Sequence, residues 1–246
     1  MLLSWIIVFS ILGSVGAIIG AALLLTFPAR VRKTLLPCLL SYATGTLLGA
    51  AFLGMIPKGM QQASILSVSA TVLAGIVLFF FLEKMIIWRH CHDAECEAHS
   101  SAGPLILIGD AFPHFVDGCV IAAAFQTSIP LGRIASFAVI AHEVPQEVGD
   151  FAILLESGYS RMRALLLNTL SSLTTLPGAV IAYYFLGATM EAVPYILALS
   201  AASFIYIAVA DLVPSLHRQV GLKSTLGQLV LILAGIGTIA AFHFGH

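Results

Sequence analysis

Residues 141–155 read AHEVPQEVGDFAILL, where ionisable side chains interrupt sequence that is otherwise apolar enough to cross a membrane. In a helix with about 100° between successive residues, five polar positions fall within roughly one 140° sector. They are His142, Glu143, Gln146, Glu147 and Asp150. An amphipathic helix of a soluble protein would share this pattern, so the surrounding composition has to decide. In a bilayer, ionisable groups are costly, which favours a functional site facing the protein interior.

The composition favours a membrane protein. Of the 246 residues, 59% are hydrophobic and 9% are charged, whereas soluble domains have about 25% charged residues. We therefore expect a polytopic integral membrane protein, in a plasma, inner or organelle membrane, surrounded by the lipid bilayer. The net charge of −1 argues against nucleic acid as a partner. No signal peptide is expected, because residues 1–28 have no basic residue before their apolar core.

Eight apolar stretches are long enough to span a bilayer, which takes about 20 residues each. The predicted fold is all-α, with a single transmembrane domain over residues 1–246. The eight helices are expected at about 3–26, 36–56, 66–88, 103–125, 131–156, 162–187, 194–214 and 224–243.

The distribution of basic residues predicts how the chain is oriented. Loops on one side contain nine Lys and Arg residues, and loops on the other side contain Lys58 and Arg133. The nine are Arg30, Arg32, Lys33, Lys84, Arg89, Arg161, Arg163, Arg218 and Lys223. Because basic residues concentrate in cytoplasmic loops, both termini are predicted to lie outside the cytoplasm, as an even number of spans requires.

The predicted cytoplasmic loop at about 89–102 is rich in metal-ligating side chains. Its candidate ligands are His90, Cys91, His92, Cys96 and His99, with three acidic residues among them. These residue types suit zinc or a similar ion, but their spacing matches no closed structural zinc site. A solvated polar loop and a weak metal-collecting or metal-sensing loop both remain open.

Helix 4 repeats the design of helix 5. Asp110, His114 and Asp117 share one face at i, i+4 and i+7. Pro113 and Pro145 each lack a backbone N–H, so they are expected to kink their helices and free the carbonyls of residues 109 and 141. Carboxylates and imidazoles are ligands for divalent transition metals, so a metal centre between helices 4 and 5 is predicted, within about 103–156.

Other interpretations of these residues stay open at this point. Carboxylates and histidines can form a proton relay without metal. The segment from His142 to Gln146 resembles the H-E-x-x-H pattern of zinc proteases, with Gln146 in place of the second histidine. Intramembrane polar residues can also serve only to connect helices by hydrogen bonds. The two helix faces, however, contain more polar side chains than that role alone requires.

The helix 5 residues resemble the ZIP (Zrt/Irt-like protein) family of divalent-metal transporters. One large branch has the motif H-E-x-P-H-E-x-G-D-F-A-I-L, which residues 142–154 match with one mismatch, at Gln146. Residues 47–57, 82–84 and 203–208 look like helices 2, 3 and 7 of the same branch. The resemblance covers nearly the whole chain and implies a transporter rather than an enzyme.

The departures from the family pattern bear on the metal centre. The usual H-N-x-x-D-G of helix 4 is here Pro113-His114-Phe115-Val116-Asp117-Gly118, and Ala50 and Gly54 replace an Asp and a His in helix 2. The resemblance thus implies that one of two metal sites has lost its best ligands, at Pro113 and Gln146. We expect a mononuclear centre of His114, Asp117 and Glu143, with His142 as a fourth or entry ligand.

The transport path and the activity follow as expectations from the same resemblance. Gln146 and Glu147 belong to the predicted metal-site residues, and Asp110, Asp150 and Thr174 to the path. The expected function is transport of zinc, or of iron, manganese or cadmium, toward the cytoplasm, with the ion as substrate and a homodimer as the assembly. The alternative is a transport-inactive, ZIP-like metal sensor or scaffold.

Overall fold

The computed structural model describes residues 1–90, 102–156, 158–218 and 221–244, and the described chain is helical. We number its helices in chain order. They are α1 (Leu2–Thr26), α2 (Ala29–Gly49, Ala50–Met55 and Ile56–Met60), α3 (Ile65–His90), α4 (Ala102–Thr127), α5 (Ile129–Glu156), α6a (Arg161–Ser172), α6b (Thr175–Ala188), α7 (Val193–Tyr206, Ile207–Leu212 and Val213–His217) and α8 (Leu222–Phe244). A short 3₁₀ turn, Met190–Ala192, precedes α7.

Most of the described helices have the length and composition of membrane spans. Six spans, all except α4 and α5, qualify by these criteria, with α6a and α6b counted as one. Large apolar side chains are exposed along α3 and α8, among them Leu73, Val77, Leu229 and Leu233. Because a bilayer surrounds such faces with hydrocarbon, their exposure suits a membrane environment. The prediction of an all-α, polytopic membrane protein is confirmed.

The helices pack in two groups. In one, α1 packs on α5, and α4 packs on both α5 and α6b. In the other, α2 packs on α8, and α3 packs on α7. The contact of α2 with α5 joins the groups, and one buried apolar core runs through both.

Two helix crossings depend on glycine. A Cβ atom at Gly118 of α4 would lie 2.0 Å from the Thr175 carbonyl oxygen, and one at Gly178 of α6b would lie 2.1 Å from the Phe115 carbonyl oxygen. At the α2–α8 crossing, a Cβ at Gly45 would lie 2.1 Å from the Ile232 oxygen. Since small residues let membrane helices approach closely, each crossing brings two backbones into contact.

Cross-helix hydrogen bonds reinforce the contact of α4 with α6. The Thr174 hydroxyl donates to the Ala111 carbonyl at 2.7 Å. The Cys119 thiol donates to the Gly178 carbonyl at 3.5 Å, and the Gln126 amide donates to the Tyr183 carbonyl at 2.6 Å. These bonds are spread along the length of α4 and hold it against its neighbour.

Helix 2 begins earlier than predicted. It starts at Ala29, whereas the sequence prediction placed its start near residue 36 and assigned Arg30, Arg32 and Lys33 to a loop. Pro28 precedes the helix, and its carbonyl accepts from the backbone N–H groups of Val31 and Arg32. Long basic side chains reach the membrane surface from a helix, so a basic run does not require a loop.

Helix 6 is broken, whereas the sequence prediction made it continuous over 162–187. Leu173 and Thr174 separate α6a from α6b, and i+3 hydrogen bonds from Thr174 to Ser171 and from Leu176 to Leu173 tighten the turn. Pro177 lacks the N–H that would continue the regular ladder. Hydroxyls in this segment also bond to backbone carbonyls, as polar side chains do where helices bend.

Helices α2 and α7 share a widened segment. In each, six residues form π-helical turns, Ala50–Met55 in α2 and Ile207–Leu212 in α7. Each π segment is followed within two residues by a proline, Pro57 or Pro214, which cannot donate to the preceding turn. The α2 π segment contacts α5, and the α7 π segment contacts α2. Such segments occur frequently at functional sites.

Candidate metal centre

Helices α4 and α5 lie side by side and direct five polar side chains into the space between them. His114 and Asp117 are one turn apart on α4, and His142, Glu143 and Glu147 share a face of α5. All five side chains are buried, with at most 2% of their surface exposed. The interior of an apolar bundle therefore contains three carboxylates and two imidazoles. Burying these groups costs free energy unless a partner of opposite charge compensates them.

The distances between these groups are short. His114 Nδ1 lies 3.0 Å from Glu143 Oε1, and His114 Nε2 lies 3.6 Å from Glu147 Oε1. His142 Nε2 lies 3.5 Å from Asp117 Oδ2 and 3.6 Å from Glu143 Oε1. The Glu143 carboxylate thus approaches both histidines and lies at the middle of the cluster.

The hydrogen bond of His142 to its own helix orients its ring. Nδ1 lies 3.1 Å from the Ala138 carbonyl oxygen, which can only accept, so Nδ1 carries the proton. When the imidazole is neutral, Nε2 is then a lone-pair donor that points toward Asp117 and Glu143. A backbone carbonyl on the distal nitrogen is the usual way in which a metal-ligating histidine is oriented.

Three of these side chains have the geometry to hold one cation. One ligand atom each from His114, Asp117 and Glu143 lie within 4.8 Å of one another. Both carboxylate oxygens of Asp117, Oε2 of Glu143 and Nε2 of His142 have no hydrogen-bond partner among the described residues. Buried acceptors that lack donors are expensive, and a divalent cation would satisfy them together.

A cavity of about 300 Å³ connects this cluster with one end of the bundle. Glu147 and Asn168 lie at its inner end, Phe151 and Leu165 belong to its apolar walls, and Arg32 and Arg161 also line it. The Asn168 side-chain amide donates to the Glu147 backbone carbonyl at 3.1 Å, which ties α6a to α5. The cavity therefore leads from the polar face of α5 toward Arg32 and Arg161. The distribution of basic residues predicts that both arginines lie on the cytoplasmic side.

The remaining sequence-predicted residues have varied positions. Gln146 is half-buried and is part of none of the described hydrogen bonds, and Asp150 is half-buried one turn beyond Glu147. Thr174, predicted to belong to the transport path, donates its hydroxyl to the Ala111 and Ser171 carbonyls. The side chain of Asp110 and those of His90, Cys91, His92, Cys96 and His99 lie outside the described residues.

Sequence reasoning missed several polar residues around the centre. Asn168, Ser171 and Ser172 of α6a are buried, and Asn168 lines the cavity. The His142 ring meets Phe204 of α7 in an edge-on contact, with ring centroids 6.2 Å apart. The dense run of small polar residues at 168–175 in an apolar span is the signal that could have pointed to α6a.

A second polar group lies between α3 and α7. The Tyr206 hydroxyl donates to a carboxylate oxygen of Glu83, and Asp211 follows in the α7 π segment. Glu83 and Tyr206 are half-buried, and Asp211 is exposed. The resemblance to helices 3 and 7 of the family covers Glu83 and Tyr206 and assigns neither of them a role.

The fold and the centre together define a class: a helical membrane protein with a buried intramembrane site suited to a divalent cation. A sequence model of the family described as ZIP zinc transporter matches residues 88–243. Because this match covers more than half of the chain, the protein belongs to the ZIP zinc transporter family. The predicted resemblance is thereby confirmed, and the family consists of transporters rather than enzymes.

Individual relatives agree with this assignment. The chain is 33% identical over 222 residues to zinc transporter ZIP13 of Pongo abelii. The aligned region covers 83% of this chain and 66% of the relative. The chain is 29% identical over 311 residues to the zinc transporter ZIP13 homolog of Drosophila melanogaster, covering 95% and 88%. With zinc transporter ZIP4 of Mus musculus it is 38% identical over 138 residues, covering 56% and 20%. The chain thus spans just under two thirds of the first of these relatives.

Proposed function

We propose that the chain carries a divalent metal ion, with zinc as the preferred substrate, across a membrane through the centre between α4 and α5. The observation that carries the proposal is the set of buried acceptors at Asp117, His142 and Glu143 that lack hydrogen-bond donors. Family membership and relatives named as zinc transporters support zinc. Imidazole and carboxylate ligands also suit iron(II) and manganese, and cadmium is a further candidate substrate.

The centre holds a single ion in this proposal. His114, Asp117 and Glu143 supply three ligands, and the Nε2 of His142 supplies the fourth or receives the entering ion. Zinc commonly takes four such ligands in a tetrahedral arrangement. In the family motif, histidines stand at the positions of Pro113 and Gln146. Because neither residue here is a histidine, a second ion lacks ligands.

The ion leaves toward the cytoplasm along the α5 face. Glu147 lies within 3.6 Å of His114 and also borders the cavity toward Arg32 and Arg161, so it is the next ligand on this path. Asp150, one turn further along α5, continues the path, with Asp110 as its counterpart on α4. A membrane potential that is negative inside favours this direction by about 2.3 kcal/mol per charge for each 100 mV.

Alternating access arises from movement between the two packing groups. The ligands belong to α4 and α5, which pack with α1 and α6b, while α2, α3, α7 and α8 form the other group. Movement of one group against the other would expose the centre to each side in turn, as in transporters that rock around a site at the membrane midplane. The homodimer that the family resemblance implies would form through the second group. Light scattering of the protein in detergent measures this oligomeric state.

The decisive experiment is zinc flux into proteoliposomes that contain the purified chain. Glu143→Gln retains the size of the side chain but removes the central negative charge, so zinc uptake is expected to fall to the level of empty liposomes. Glu191→Gln is the matched control, because Glu191 is exposed in the 3₁₀ turn before α7. Flux that survives Glu143→Gln would reject the α4–α5 centre.

A transport-inactive sensor or scaffold is the second candidate function, favoured by Ala50 and Gly54 in place of polar residues in α2. It predicts zinc binding to the purified chain with no flux for the wild type. Metal content of the purified protein tests the single-ion proposal separately. Two tightly held ions that are both lost in Asp117→Asn would contradict a mononuclear centre.

A further inference from the structure

A second cavity, of about 310 Å³, lies between the beginnings of α2 and α8, away from the metal centre. Lys33 and Thr34 of α2 line it opposite Lys223, Ser224 and Gln228 of α8, and Cys38 and Ser41 lie further along α2. Its volume falls at the lower end of the range of about 300–1,000 Å³ typical of small-molecule sites. None of these residues belongs to the centre proposed for the transported ion.

The cavity has a positive charge that nothing described compensates. Lys33 and Lys223 come from two different helices, both are exposed, and neither forms an ion pair within the described parts of the chain. No acidic side chain appears among the residues that line the cavity. Two ammonium groups at the entrance of one concave site attract an anion, and a metal cation would be repelled.

The neutral polar groups of the cavity are largely committed to the protein itself. The Ser41 hydroxyl donates to the Pro37 carbonyl at 2.7 Å, and the Thr34 hydroxyl donates to the Arg30 carbonyl at 3.3 Å. The Gln228 amide donates to the Leu216 carbonyl at 3.2 Å, which connects α8 with the end of α7. The walls are therefore fixed, and the two lysines provide the main recognition of a ligand through charge.

The position of the cavity favours an occupant from the bilayer. It lies at the beginning of α8, whose apolar side chains Leu226, Leu229, Val230 and Leu233 are exposed along the span. An acyl chain can lie along these side chains while a phosphate at the membrane surface reaches the lysines. Basic pockets between membrane helices on the cytoplasmic side bind anionic lipid headgroups in this way.

We propose that the α2–α8 cavity binds the phosphate of an anionic phospholipid headgroup through Lys33 and Lys223. The bound lipid would bridge the starts of α2 and α8, two helices that also cross further along their length at Gly45. Because α2 packs on α8 and also contacts α5, lipid at this site would stabilise the packing of α2 within the bundle. The proposal concerns lipid binding and does not depend on transport.

The test measures which lipids the full chain retains. The protein is reconstituted in vesicles of phosphatidylcholine with an equal share of phosphatidylglycerol, extracted gently, and weighed with its bound lipids by native mass spectrometry. The wild type is expected to retain phosphatidylglycerol several-fold more than phosphatidylcholine, and the thermal midpoint of unfolding is expected to rise with phosphatidylglycerol. The double variant Lys33→Gln with Lys223→Gln is expected to lose both effects.

Two control variants and one competitor separate the possible results. Lys84→Gln removes an exposed lysine at the end of α3, outside this cavity, and should keep the preference. Lys33→Arg with Lys223→Arg retains the charge and should also keep it, which shows that a folded variant binds through charge. Equal loss in Lys84→Gln, or no preference in the wild type, overturns the site. Displacement of the lipid by millimolar inorganic phosphate would show that a free anion is the ligand and would overturn the lipid assignment.

Discussion

Two groups of ionisable side chains lie among the membrane helices, and they differ in how they are satisfied. Between α4 and α5, Asp117 and Glu143 are buried and have carboxylate oxygens without a described hydrogen-bond donor. Between α3 and α7, Glu83 is half-buried and accepts a hydrogen bond from the Tyr206 hydroxyl. Asp211, which follows Tyr206 on α7, is exposed.

The difference separates the proposed cation site from a polar group that supplies its own hydrogen-bond donor. Leaving buried acceptors unsatisfied costs about 1–3 kcal/mol for each group, and more for charged groups. A protein retains such groups where a ligand compensates them, whereas a tyrosine hydroxyl already supplies the donor at Glu83. Zinc dependence is therefore expected for the α4–α5 group and not for the α3–α7 group.

The largest expected effect is on zinc affinity. Asp117→Asn removes one of the three proposed ligands. Loss of a residue that only supports a ligand weakens metal binding by about 10–100-fold, so zinc binding should weaken here by at least about 100-fold. Zinc at about 100 times its dissociation constant should stabilise the wild type by about 2.7 kcal/mol and the variant by much less. Titration calorimetry and thermal unfolding with and without a chelator measure the two effects.

The control for this prediction is Asp211→Asn, which makes the same chemical change in the other group. It should leave zinc affinity within about threefold of the wild type, since an exposed carboxylate contributes less than about 1 kcal/mol to an electrostatic interaction. Equal losses in the two variants would remove the distinction between the groups.

The next effect concerns the support of the α4–α5 centre. Gly118→Ala places a Cβ atom where the Thr175 carbonyl lies 2.0 Å away, so α4 and α6b must separate. Overpacking of this kind costs about 1–3 kcal/mol and would displace Asp117, its neighbour in sequence. Lower thermal stability together with weaker zinc uptake is the expected result.

Gly149→Ala is the matched substitution for Gly118→Ala, because a Cβ at Gly149 meets nothing within 4 Å. Within a helix, alanine is favoured over glycine by up to about 1 kcal/mol. Stability should therefore stay equal or rise, and zinc uptake should persist. A loss of uptake in this variant would show that α5 itself must bend at Gly149.

The smallest effect is expected in the α3–α7 group. Tyr206→Phe removes one hydrogen bond and should destabilise the protein by about 1 kcal/mol. Zinc flux per folded molecule should stay close to that of the wild type, measured in proteoliposomes with matched protein content. A large loss of flux at full stability would mean that Glu83 belongs to the ion path.

The parts of the fold that could be predicted are those that depend on local periodicity. Helical spacing alone places His114 and Asp117 on one face, and Glu143 and Glu147 on another. Whether these two faces meet depends on tertiary packing. The short connection at Ser128 predicts that they do, because consecutive helices joined by a short connection pack side by side.

The features that could not be predicted depend on contacts between distant residues. The break at Leu173 and Thr174 involves the Ala111 carbonyl of another helix, and no propensity scale contains that partner. In the same way, the Asn168 side-chain amide of α6a donates to the Glu147 backbone carbonyl of α5. The start of α2 at Ala29 does not follow from its basic run, because Lys and Arg occur both in loops and at the ends of membrane helices.

The hydrogen bonds between α4 and α6 have a consequence for how the membrane acts on the protein. The outer face of α6b exposes Ile181, Tyr184 and Phe185, so the position of this helix adjusts to bilayer thickness. Since Gln126, Cys119 and Thr174 couple α6 to α4 along its length, a shift of α6b along the membrane normal carries Asp117 with it. Acyl-chain length is thus expected to tune the depth of the metal centre and, with it, the rate of uptake.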